Sequence, residues 1–270
     1  MKIKHFKNQK CCFDINLPEK DEYSFSVLVR ILKSECRLTI TDSKYFIVCH
    51  SKHPYPVWIW LSPNASTDTF EQVYSILKKE FFFDKSFRFN LDYDFANYLI
   101  KRAENDNITF KISTNMFSYR CIAPIPPRKK PAGSVVCASK DDIDLAVEYM
   151  IRFNDEVAIE HKSIDDCKAK VMELITAERL FFWCDENGEK SAMASYVISE
   201  NKGAVGNVFT RHDKRKLGYA ANLVYYITLM ILKKDKIPIL YTDADYCASN
   251  ACYEGIGYVK MSSLCTVEQI

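Results

Sequence analysis

The sequence predicts an α/β protein of the α+β kind: a mixed, mostly antiparallel twisted sheet with helices on both faces, preceded by a smaller α/β domain. Three observations predict it. Residues 134–270 read as strand, helix, helix, three strands, helix, strand, short helix, strand, so that hairpins alternate with crossover helices. Residues 1–122 also alternate strand-like and helical stretches, and read either as a separate α/β domain or as a diverged copy of the same architecture. Between the two lie four prolines and three consecutive cations at 124–131, which can continue neither a helix nor a central strand. We therefore expect domains at 1–122 and 134–270 and a linker at 123–133, with a long loop inside one domain as the alternative.

The elements of the second part follow from local chemistry. Residues 134–139 form a short apolar strand. Ser139 then caps a helix with Asp142 three residues on, and Ile143, Ala146, Val147 and Met150 supply its buried stripe. Ser163 and Asp166 repeat the device for a helix through 178. Strands at 180–184 and 192–199 flank an Asp-Glu-Asn-Gly turn, and 204–210 is another strand. A helix from about 219 to 233 places Leu223, Val224, Ile227, Met230 and Ile231 on one face. Residues 238–243 read as a strand, 249–255 as a short helix and 258–267 as the last strand. Upstream, 45–49 and 57–61 are strand-like, 69–79 and 93–103 helical, and 81–91 and 108–112 strand-like.

Composition narrows the function classes. The chain has 270 residues, 48% hydrophobic and 27% charged, enough to bury a core. A net charge of +2 gives no global argument for a nucleic-acid partner. No apolar run is long enough to span a bilayer. The 11 cysteines are odd in number and irregularly spaced, and the first ten residues carry four lysines and no apolar core; we expect reduced thiols and a cytoplasmic protein. Cys49-His50-x-x-His53 lacks a convincing fourth ligand and sits among prolines, so no metal is expected. Vicinal Cys11–Cys12 reads as ordinary thiols, and Val57-Trp-Ile-Trp-Leu61 as a core strand.

The segment Val208-Phe209-Thr210-Arg211-His212-Asp213-Lys214-Arg215-Lys216-Leu217-Gly218-Tyr219-Ala220 carries the chemistry. A strand ends near Thr210, a cationic loop follows, and Arg215-x-x-Gly218-x-Ala220 opens an amphipathic helix. A helix start leaves backbone N–H groups without partners and carries partial positive charge, which makes an anion site. Gly218 removes a Cβ, so a phosphate can approach. Arg211, Lys214, Arg215 and Lys216 put four cations into six residues. Taken alone, the pattern also describes an ordinary helix start.

These residues resemble the GNAT acetyltransferase family, whose signature is Arg/Gln-x-x-Gly-x-Gly/Ala after a strand ending Val-x-Thr. The resemblance continues in Tyr241-Thr242-Asp243, then Ser249-Asn250-x-x-Tyr253, then Gly257-Tyr258 leading into the last strand, and covers about half the chain. It departs from the family where Arg211 and His212 replace common prolines, where Lys216 and Leu217 replace Gly and Lys, and where Cys247 and Ala248 replace a Pro-containing step.

The resemblance implies the GNAT fold and an N-acetyltransferase that moves an acetyl group from acetyl-CoA to a primary amine in a ternary complex. The backbone of Val208, Phe209 and Thr210 would meet the pantetheine, and Arg215 with the amides of Lys216, Leu217, Gly218, Tyr219 and Ala220 the pyrophosphate. Asn250 would contact the pantetheine arm, and Tyr253 would act as general acid. The ordinary alternatives are a helix cap for Asn250 and a core tyrosine for Tyr253. Glu156, or Asp155 beside it, is the candidate base. The expected partners are a small-molecule or peptide amine acceptor and, for self-association, a homodimer, with no nucleic acid and no membrane. The rival reading is a non-catalytic acyl-CoA-binding or regulatory module on the same scaffold.

Overall fold

The structure is a computed structural model that describes residues 3–11, 17–82, 84–157 and 163–270. The chain forms two compact units. The first comprises Met1–Ser118, Asp243–Asp245 and Met261–Ile270, and the second Tyr119–Thr242 and Tyr246–Lys260.

In the first unit, strand β1 (Lys4–Lys10) is followed by helices α1 (Glu19–Ser24) and α2 (Ser26–Leu32), strands β2 (Glu35–Thr41), β3 (Phe46–His50) and β4 (Val57–Leu61), helix α3 (Thr67–Glu80), strand β5 (Arg88–Leu91), helix α4 (Tyr93–Glu104) and strand β6 (Phe110–Arg120). Strands β1 to β4 form an antiparallel meander, and β4 pairs with β5 in parallel. Every residue of β3 and β4 is buried, so the Trp-Ile-Trp run is core. Helices α3 and α4 begin where Ser66 accepts from the Thr69 N–H (3.3 Å) and Asp92 from the Phe95 N–H (2.9 Å).

The strand expected over 81–91 shortens to β5. Phe81 is the C-cap of α3, and Asp84 turns the chain by accepting from the Ser86 N–H; Phe83 lies outside the described residues. The apolar run reads as a strand because Phe81, Phe87 and Phe89 are all buried, and they are buried as an edge-to-face aromatic cluster at a helix end.

In the second unit, β7 (Ser134–Cys137) leads through a 3₁₀ turn to α5 (Ile143–Glu156) and α6 (Ile164–Thr176). Strands β8 (Leu180–Cys184), β9 (Lys190–Ser199) and β10 (Lys202–Thr210) follow, then α7 (Tyr219–Leu232), β11 (Ile237–Asp243) and α8 (Cys247–Gly255). The strand order is β11-β10-β9-β8-β7. β7 to β10 are antiparallel neighbours, and β10 pairs with β11 in parallel. Both expected caps form: Asp142 accepts from the Ser139 N–H (2.8 Å), and Ser163 accepts from the Asp166 N–H (3.1 Å). The core beneath gathers Ala146, Val147 and Met150 of α5, Val171 and Leu174 of α6, and Leu180, Phe182 and Met193 of the strands.

The two units thus repeat one chain order, strand-helix-helix-three strands-helix-strand-helix, and one pairing pattern, an antiparallel meander ending in a parallel pair. The last strand, β12 (Val259–Gln269), is the exception to the expected 134–270 domain. Its end pairs with β5, Cys265 opposite Leu91 and Val267 opposite Phe89, and Cys265 and Val267 are buried in the first unit's core.

The proline-rich segment also differs from expectation, because it belongs to the second unit. The Cys121 N–H donates to the Pro238 carbonyl and the Ile125 N–H to the Ile256 carbonyl, each at 2.9 Å. Gly257, at φ +96°, lets it lie close: a Cβ there would stand 2.5 Å from the Ala123 carbonyl oxygen. Four prolines suit such a strap, which makes few backbone bonds and needs few N–H groups.

Candidate active site

The site begins with an irregularity in β10. Gly206 faces Ser195 and Phe209 faces Met193, so β10 spends one more residue than β9 over that stretch. Asn207, at φ +52°, takes up the bulge, and its Nδ2 donates to Ser195 Oγ at 2.7 Å. The ladder between β10 and β11 covers only Lys202–Ala204 against Ile237–Ile239. The end of β10 therefore leaves its parallel neighbour and opens a wedge.

The loop from Arg211 to Gly218 closes one end of that wedge. The Arg211 N–H donates to the Ser191 carbonyl (3.1 Å), and His212–Lys214 make one 3₁₀ turn. Lys216 and Gly218 are both left-handed, at φ +63° and +97°. Gly218 is the N-cap of α7, and no side chain caps the helix. The first N–H groups of α7 thus lack both intrahelical partners and a capping oxygen, and they carry the positive end of the helix dipole.

The loop cations do not all face outward to an anion, as the sequence had led us to expect. Arg211 pairs with Asp213 (2.8 Å) and Glu189 (3.3 Å), and Lys214 with Asp185 (2.7 Å) and Glu189 (3.1 Å). Arg215 donates through Nε to the Thr210 carbonyl (3.1 Å) and through Nη2 to both oxygens of Glu156 (2.6 Å each). His212 reaches the same carboxylate at 3.0 Å. These pairs shape the loop, and of the four cations only Lys216 has no carboxylate partner among the described residues.

Asp185 is the anchor. Besides Lys214 it accepts from the Asn187 and Glu189 N–H groups (3.0 Å each) and from Ser191 Oγ (3.0 Å). The Lys214 ammonium, chief among these donors, holds its carboxyl down to about 2. The folded pKa lies below the unfolded value near 3.9, so the contribution is present above about pH 4 and is lost as pH falls towards 2. Asp185→Asn is expected to lower the melting temperature at pH 7 and to shrink that difference near pH 2. Thermal melts across that range measure it, and a pH-independent difference would contradict the assignment.

A cavity of about 300 Å³ fills the wedge. Val208, Phe209 and Thr210 of β10 line it, as do Lys214, Arg215, Lys216, Gly218, Tyr219, Ala220 and Ala221 of the loop and α7, and Glu156 from the end of α5. Tyr246, Ala248, Ser249, Cys252 and Tyr253 line it from α8 and the residue before it. Of the residues singled out from sequence, Leu217 is 46% exposed and Asn250 is buried, and neither side chain lines the cavity. Tyr246 and Cys252 escaped the sequence reading, and Ser249 entered it only as part of the Ser249-Asn250-x-x-Tyr253 pattern. Tyr246, Ser249 and Tyr253 share one helical face at i, i+3 and i+7, and that spacing was the signal available.

Tyr253 is 8% exposed and packs edge-on against Tyr258 (6.2 Å). Burial, then the neighbouring Cys252 and Tyr246, raises its phenol above the ordinary tyrosine value, so it holds its proton across the neutral range. Burial likewise pushes the Cys252 thiol up to about 11, which keeps it neutral. Glu156 is the one carboxylate among the lining residues, and it is already engaged by Arg215 and His212.

Elsewhere, His50 packs edge-on against Phe81 and Phe87 and bonds the Tyr55 carbonyl (3.1 Å), whereas His53 bonds Ser86 (2.8 Å). Among the described residues no group of three His, Cys, Asp or Glu could hold a metal ion. Cys12, half of the vicinal thiol pair, lies outside the described residues. No described helix is long and apolar enough to cross a membrane.

The chain matches the FR47-like protein family over residues 184–267. That span runs from the end of β8 through the loop, α7 and α8 into β12. No curated protein is similar enough to count as a relative. The fold is shared with an acetyltransferase of the GNAT family from Colwellia psychrerythraea, at a TM-score of 0.58 and 12% identity over 100% of both chains. It is also shared with a GCN5-related N-acetyltransferase from Sphaerobacter thermophilus, at 0.64 and 10% identity over 86% of this chain and 80% of that one. A third, a GCN5-related N-acetyltransferase from Kribbella flavida, gives 0.53 and 14% over 92% and 94%. At such identities these likenesses speak for the fold, and the family pattern coincides with the segment that builds the wedge. The chain thus has the fold of the GNAT acetyltransferases, and residues 184–267 carry the FR47-like pattern.

Proposed function

We propose that the second unit transfers an acetyl group from acetyl-CoA to a primary amine by direct attack in a ternary complex. One observation carries the reading: the splayed end of β10, the uncapped left-handed turn into α7 and the buried phenol of Tyr253 all border one cavity. The bare amides at Gly218–Ala220 suit a diphosphate. The free end of β10 suits an extended amide-bearing arm, since strand backbone pairs with amides. An amine that attacks a thioester expels a thiolate, and a protonated phenol beside the sulfur can supply the proton. Holding the two reactants in contact removes entropy from the barrier.

In this reading Arg215 and Glu156 act together. Glu156 holds Arg215, which holds the Thr210 carbonyl at the mouth of the wedge, so Glu156 shapes the site and the acceptor amine enters already neutral or loses its proton to water. Asn250, buried and off the cavity lining, takes the ordinary reading of a helix residue rather than a pantetheine contact.

The first unit offers no equivalent anion loop. Its connection from β4 to α3, residues 62–66, contains no glycine and no cation, and Ser66 fills the cap of α3. One coenzyme per chain is therefore expected. Purified protein titrated with CoA calorimetrically should bind one equivalent, and with acetyl-CoA and a panel of amines should release free thiol, corrected for its own cysteines. No CoA binding would end the coenzyme reading. Binding without thiol release for any amine would favour the sensor, a reading to which the engagement of the cavity's one carboxylate lends weight.

A further inference from the structure

The anion loop is not built by its own segment alone. The strap, which leaves β6 and enters β7, crosses it at Lys129. The Lys129 Nζ donates to the Lys216 carbonyl at 2.7 Å, and Asn222 of α7 donates to the Lys129 carbonyl at 2.8 Å. A Cβ added to Gly218 would stand 2.9 Å from Lys129 Cβ. Both left-handed residues of the loop are thus moulded around one strap lysine. A trans peptide carries its N–H opposite its C=O, so the bond on the Lys216 carbonyl also sets the direction of the Leu217 N–H.

The charges point the same way. Arg211, Lys214 and Arg215 are spent on carboxylates within the loop and its neighbours. Among the described residues, Lys216, Arg128, Lys129 and Lys130 have no carboxylate partner, and all three strap cations are exposed. The ends of the strap are fixed on the second unit: Ile125 is bonded to Ile256, and Gly133 lies where a Cβ would strike the Cys184 carbonyl oxygen. A tether held at both ends presents Lys129 against the loop at small entropic cost, with exposed Arg128 and Lys130 as its chain neighbours.

We propose that the strap is part of the coenzyme phosphate site, with Lys129 positioning the loop's amides and Arg128, Lys129 and Lys130 supplying the charge that holds the phosphates. This inference rests on the coenzyme reading above and adds the residues that carry its electrostatics.

Calorimetry with CoA at low and high salt tests it. Lys129→Met is expected to raise Kd about tenfold, as loss of a charge-assisted contact does. Arg128→Gln with Lys130→Gln, which leaves both Lys129 bonds in place, should weaken binding several-fold and flatten its salt dependence, which a purely structural strap would not do. In the wild type, CoA should shield Lys129 from amine-labelling reagent, as read by mass spectrometry, and this decides the matter should Lys129→Met not fold. Wild-type protein that does not bind CoA sinks the coenzyme reading itself. CoA binding with an unchanged Kd and salt slope in the variants, or with Lys129 labelled equally in its presence, sinks the strap alone.

Discussion

Tyr253→Phe should lower kcat by about a hundredfold or more while changing the Kd for CoA by less than about threefold. The substitution removes one oxygen and keeps the ring, so the packing against Tyr258 and the cavity wall survive. What is lost is the proton donor, and general acids contribute about 10² to 10⁴ to rate. Burial holds the Tyr253 proton through the neutral range, so its ionisation should leave no limb in the pH–rate profile below about pH 10. A variant with wild-type turnover would remove Tyr253 from the chemistry and return it to the core. A wild-type protein with no turnover, binding CoA as tightly as Tyr253→Phe, would mark a sensor.

Gly218→Val is the second large effect, and it falls on binding. Gly218 sits at φ +97°, where a β-branched residue is strained by about 1–3 kcal/mol. Its new Cβ would also meet Lys129 Cβ at 2.9 Å, so either the strap or the helix start must move. Whichever moves, the amides at the head of α7 lose their alignment and gain a side chain above them. A combined loss of about 3 kcal/mol corresponds to a Kd for CoA raised about a hundredfold. Gly218→Asn separates the two causes, because Asn tolerates the left-handed region; it should bind CoA better than the valine variant. Equal binding by Gly218→Val and the wild type would mean that no phosphate approaches this turn.

The parts of the fold legible in the sequence are those whose signal is local. Ser139–Asp142 and Ser163–Asp166 announce helix starts because a cap and its partner are three residues apart. The strand and loop side of the wedge was legible because a strand end, a glycine and a helix start follow one another within thirteen residues, 208–220. Non-local features were not. Nothing near 259–269 says that Cys265 will lie opposite Leu91, more than 170 residues earlier in the chain. β1 is Lys-His-Phe-Lys-Asn-Gln-Lys, with a single apolar residue, and it is a strand because β2 pairs with it. The cations of the loop look alike in sequence, and only the fold divides them: Asp185, Glu189 and Glu156 approach Lys214, Arg211 and Arg215 from other elements. The strap read as a linker for the same reason, since its prolines say where a helix cannot be and say nothing of the surface that receives them.

The two units share a chain order and a pairing pattern, yet only the second keeps a glycine and cations between its fourth strand and the following helix. Position in the fold therefore does not by itself make an anion site; in the proposed reading the backbone freedom at Gly218 and the uncapped start of α7 do.

The most direct test is a crystal structure of the protein grown with CoA. The diphosphate is expected on the amides of Leu217–Ala220 beside Lys129, the pantetheine along Val208–Thr210, and the sulfur next to the Tyr253 hydroxyl. Coenzyme bound anywhere else, or the turn before α7 occupied by the protein's own side chains with coenzyme in saturating excess, would contradict that placement.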